Sequence, residues 1–108
     1  MTWTSEQISK RLAISTAIFQ KFELGAQHIA RIREANILKI ELSVIEGNLD
    51  YHNRGQVDEL KNACESNDIA VTSVHGPFKL PYNTADEDVR KRVVEESLLA
   101  IQFAAEMG

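Results

Sequence analysis

Ile69-Ala70-Val71-Thr72-Ser73-Val74-His75-Gly76-Pro77-Phe78 is the stretch that decides the fold of this 108-residue chain. The apolar run from Ile69 to Val74 reads as a strand with a histidine at its carboxyl end. Gly76 and Pro77 break the strand, and a long helical pattern follows. A histidine that ends a strand feeding a helix stands where α/β folds place their chemistry.

Working outward, the same strand-then-helix order recurs. Strands are predicted at about 11–16, 37–42 and 69–75, and helices at about 24–35, 54–66 and 86–107. Ile29 and Ile32 mark the inner face of the first helix. Val57, Leu60 and Cys64 do so for the second, and Val94, Leu98, Ile101 and Ala105 for the third. Asn36, Asn67 and Gly108 follow helical patterns and suit the left-handed position that ends a helix. Thr84 with Glu87 makes a capping-box pattern before the third helix, and Asp86 adds negative charge to its first turn. The helix-to-strand loops are short. The strand-to-helix loops, Ala17 to Glu23, Ser43 to Asn53 and Gly76 to Ala85, are long and polar, which places a site at the carboxyl ends of the strands.

Alternation sorts the strand residues into two sets. Leu12, Ile14, Leu38, Ile40, Leu42, Thr72 and Val74 suit packing under helices. Ala13, Ser15, Lys39, Glu41, Val71, Ser73 and His75 form a small or polar face. A doubly wound sheet is greasy on both faces, so charge at Lys39 and Glu41 favours a barrel interior.

Composition sets the class. The chain is 44% hydrophobic and 26% charged with net charge −4, ordinary for a soluble domain and without a basic footprint for nucleic acid or an anionic membrane. The single cysteine, Cys64, excludes an internal disulfide framework and reads as a buried, inert thiol. No apolar run approaches the ~20 residues of a membrane span, and Met1 to Glu6 lacks the pattern of a secretory signal. A cytoplasmic setting is expected.

These residues resemble the beginning of the xylose-isomerase-like (β/α)8 barrels, a superfamily of sugar-phosphate isomerases and epimerases that also includes the family-2 apurinic endonucleases. Leu12-Ala13-Ile14-Ser15 with Phe19 resembles the first strand and its loop. Ala35 to Leu42 is similar to the second strand with its terminal glutamate, and Ile69 to Phe78 to the third with its histidine. Asn83 to Arg90 and Ala104 to Gly108 resemble the two ends of the third helix. The implied fold is α/β, the first three βα units of a TIM barrel with parallel strands inside and helices outside. Asn36 stands where the family usually has glycine. The family's Glu/Asp/His/Glu metal set comes from later strands, which these 108 residues do not contain.

The resemblance implies a metal-dependent sugar or sugar-phosphate isomerase or epimerase, with a divalent Mn, Mg or Zn ion required in the whole barrel. The candidate substrate-binding residues are His75, Glu41, Phe19, Phe78 and Asn83. Each has a plainer reading: a structural histidine, a partner for Lys39, loop packing, or turn chemistry. No metal ligand is expected here under the isomerase reading. Under the endonuclease alternative His75 is a zinc ligand, although catalytic zinc needs about three protein ligands. His28 and His52 are expected at the surface. Three parallel strands leave two unpaired edges, and the chain closes on a helix. The reading is therefore of a piece of a larger fold, inactive alone, or of a chain that self-associates through its strand edges into a homo-oligomer.

Overall fold

The computed structural model describes residues 2–77 and 79–108. Its elements are helix α1 (Ser5–Arg11), strand β1 (Ala13–Ser15), a 3-10 turn (Thr16–Phe19), α2 (Ala26–Glu34), β2 (Lys39–Ser43), α3 (Arg54–Ser66), β3 (Ala70–His75) and α4 (Glu87–Met107). The strands form one parallel sheet in the order β1-β2-β3. The α/β class with alternating parallel strands and helices is therefore as expected. The sheet is open, not closed into a barrel, and β1 and β3 are its edges.

The covered face is built by β2. Ile40 and Leu42 are fully buried and join Leu24, Ile29, Leu60 and Phe103 in one core. The 3.6-residue period places Ile29 and Ile32 of α2 and Val57, Leu60 and Cys64 of α3 on the buried side, as predicted. Both helices end alike. Asn36 (φ 60°) and Asp68 (φ 55°) take the left-handed position. Ile37 N–H then reaches Ile32 O at 3.3 Å and Ile69 N–H reaches Cys64 O at 2.9 Å. The predicted terminator of the second helix shifts by one residue: Asn67 is the cap, and Asp68 makes the turn.

Four further expectations are corrected. The segment before the first predicted strand, to which no element was assigned, contains α1, which takes in Arg11 and is capped reciprocally by Thr4 and Gln7. Its Ser9 hydroxyl donates to Asn36 O at 2.6 Å and docks the helix below the α2–β2 turn. The start of α4 is capped by Asp86, which accepts from Asp88 N and Val89 N, not by a Thr84–Glu87 box. Thr84 instead accepts from Asp86 N. In α4 the buried residues are Val93, Ala100 and Phe103, whereas the predicted row of Val94, Leu98 and Ile101 faces outward at 57%, 54% and 64% exposure. Phe103 wins because its ring fills the core and stacks on Tyr51 at 5.9 Å, while Leu and Ile on the other row find nothing to pack against.

The fourth correction concerns β3. Val71 pairs with Ile40, and Ser73, not Thr72, pairs with Glu41. Thr72 is the extra residue of a bulge, and its hydroxyl donates to Ile40 O at 3.1 Å. Val71 thus joins Val74 against the core, and Thr72 is exposed.

Candidate functional site

Hydroxyl groups join the carboxyl ends of the strands. Ser15 Oγ shares a 2.8 Å hydrogen bond with Ser43 Oγ and accepts from Ala17 N, which starts the 3-10 turn. The buried Thr16 hydroxyl accepts from Ser43 N at 3.0 Å. On the next strand Ser73 Oγ donates to Glu41 Oε2 at 2.7 Å, and His75 O accepts from Val44 N at 3.0 Å. Register aligns Ser15, Glu41 and Ser73 across all three strands, with Ser43 and His75 paired one step further on. Ser15, Glu41, Ser73 and His75 lie on the face that the core does not cover, and Ser43, on the same side of its strand, is buried.

The predicted site residues divide. Glu41, half-buried, and His75, exposed, stand on one face of adjacent strands, as the sequence suggested. Glu41 is tied to Ser73 rather than to Lys39. Phe19 is half-buried, leans on the core and packs its ring against His28 at 4.7 Å. Asn83 is exposed in the loop before α4, and Phe78 lies outside the described residues.

A buried amide pair holds the loops behind this face. Asn48 Nδ2 donates to Phe19 O at 3.0 Å and Phe22 O at 2.7 Å. Gln56 Nε2 donates to Leu24 O and Asn48 O at 3.0 and 2.7 Å, and its Oε1 accepts from Asp50 N at 2.9 Å. The loops after β1 and β2 are thereby one unit. His28, expected at the surface, belongs to the same unit and is only 8% exposed. Its Nδ1 accepts from Gly25 N at 2.9 Å and caps α2, which puts the ring proton on Nε2. Its packing against Phe19 and Phe22 explains the burial.

A second polar group was not visible in the sequence. Tyr51 Oη donates to a carboxylate oxygen of Glu96 and to Glu96 O, and His52 Nε2 lies 3.0 Å from the same carboxylate. A cavity of about 330 Å³ opens beside them, lined also by Val44, Pro77 and Lys79. The Tyr51 hydroxyl holds the Glu96 carboxyl below the usual carboxylate range. Partial burial opposes this, and His52 adds to it. Burial, then Glu96, pushes the Tyr51 phenol upward. Tyr51 and His52 are neighbours in a turn-rich loop and Glu96 comes from α4, so only the tertiary fold unites them.

Cys64 is 6% exposed, and burial, with a smaller push from Glu65, raises its thiol to about 11; an inert thiol is what this setting gives. Among the described residues no group of three or more His, Cys, Asp or Glu side chains is arranged to hold a metal ion. The described residues therefore offer no such ligand set of their own. No helix among them is long and apolar enough to cross a membrane. No family model, curated protein or solved structure matches the chain. What is established is a small α/β domain with a three-stranded parallel sheet and a row of polar side chains along its uncovered face.

Proposed function

We propose that this chain supplies the first three βα units of a sugar or sugar-phosphate isomerase or epimerase of the (β/α)8 type, and that its part in that protein is to bind substrate hydroxyls. One observation carries the reading: Ser15, Glu41, Ser73 and His75 share one accessible face at the carboxyl ends of neighbouring strands, with the buried Ser43 bracing Ser15 from beneath. Serine hydroxyls both donate and accept, and an ionised carboxylate only accepts. Strands about 4.8 Å apart set such groups side by side, so that neighbouring strands can each hydrogen-bond a different hydroxyl of one sugar. Turnover and any metal belong to strands beyond these three, so the 108-residue chain is inactive alone.

The test is an amide NMR titration of the chain with aldoses, ketoses and their phosphates. Shifts are expected at Ser15, Glu41, Ser73 and His75, and they are lost in the Glu41→Gln, His75→Ala double variant. A spectrum unchanged by every sugar, or shifts confined to the Tyr51–Glu96 cavity, would overturn the proposal. In a coupled isomerisation assay with Mn or Mg the chain alone is expected to give no turnover.

A further inference from the structure

We infer that the outward face of α4 pairs antiparallel with α4 of a second copy of this chain. Lys91, Val94, Leu98, Ile101, Ala105 and Gly108 recur at alternating spacings of three and four, the seam of a helix pair. All six are exposed apart from their own helix, and the three large ones are more than half exposed while the opposite row holds the core. The seam lies apart from the polar sheet face, and it is a property of the 108-residue chain by itself, without the further strands of the proposed barrel.

Side-chain size and charge select the second copy and its direction. In an antiparallel pair the layers are Leu98 on Ile101 of the other copy, Val94 on Ala105, and Lys91 on Gly108. The central layer joins two large residues, and each outer layer joins a large residue to a small one. The small residues let the Lys91 stem lie along the other helix and bring its ammonium to that helix's last carbonyls, the negative end of the helix dipole. Glu95 flanks the uncharged Gln102, and Ser97 flanks Ala104, so no like charges meet. Glu106 is already held by Arg54 away from the seam. A parallel pair would instead set Lys91 against Lys91. The row from Lys91 to Gly108 runs for about 25 Å at ~1.5 Å per residue, enough for these layers.

Sedimentation of the chain over a concentration series is expected to show a species of twice the 12.1 kDa chain mass. Leu98→Glu should weaken the association about thirtyfold, as replacing a central apolar anchor by a charge does, and Lys91→Glu only a few-fold. Helicity by circular dichroism should not change, because both side chains are exposed. Orientation is read by oxidation: Val94→Cys mixed with Ala105→Cys should form the mixed disulfide, and Val94→Cys alone should not. The buried Cys64 stays out of the reaction. A monomer at every concentration, a dimer indifferent to Leu98→Glu, or a disulfide between two Val94→Cys chains would each overturn the inference.

Discussion

The two faces of β2 differ in kind, though alternate residues of one short strand make both. Ile40 and Leu42 point into a core closed by α2, α3 and α4. Lys39 and Glu41 point the other way, half-buried beside serines. One face holds the fold through area removed from water, and the other holds shape through a few hydrogen bonds whose net worth is small. Stability thus rests on one side of the backbone, and the proposed recognition on the other. The polar side is free to vary in chemistry without unfolding the chain.

The largest effects should come from the covered face. Leu42→Ala is expected to lower the unfolding free energy by ~2–5 kcal/mol in urea titrations, through lost burial and the cavity left behind. A loss below about 1 kcal/mol would break the comparison. Gln56→Ala comes next. It strips partners from Leu24 O, Asn48 O and Asp50 N–H, and should cost roughly 2–3 kcal/mol. Amide exchange should then quicken in both loops together, and quickening in one alone would show that they are not a unit.

Acid should act at the rim. The Glu96 carboxyl is held low in the folded state, so its stabilisation is present above the unfolded carboxylate range and is lost as pH falls through the folded value. Urea midpoints measured from neutral to strongly acidic pH should decline more gently in Glu96→Gln than in the parent. Parallel profiles would remove Glu96 from the account. The smallest effect belongs to the open face. Ser73→Ala removes one exposed hydrogen bond to Glu41 and should cost less than about 1 kcal/mol while weakening the proposed sugar binding. A greater loss would mean that the open face also carries the fold.

Local patterns were legible wherever the determinant is local. α3 was predicted at the bounds it has, and α4 and β3 to within one residue, because apolar period, capping residues and Gly-Pro breaks all lie within a few positions of each end. The pairing of Glu41 and His75 on one face followed from strand alternation. The outward row of α4 did not, because that helix has two apolar rows and only the docked sheet decides which is buried. His28 looked like a surface residue because its burial depends on Phe19 and Phe22, which reach it from the preceding turn. Tyr51, His52 and Glu96 lie some 44 positions apart in sequence, where no spacing rule applies. The start of α1 was within reach of sequence reasoning through Thr4 and Gln7, a capping box with glutamine in place of glutamate.

Thr72 has a consequence for how the chain tolerates changes in length. Val71 faces the core, Ser73 the open side, Val74 the core and His75 the open side, so the residues on either side of Thr72 already alternate without it. Removing Thr72 would merge the two halves of β3 into one regular strand and leave every other side chain facing as it does now. Removing Val71 or Ser73 would take away a core residue or one of the candidate site instead. The bulge is therefore a phase joint, the one position in β3 where the chain can gain or lose a residue without exchanging its greasy face for its polar one.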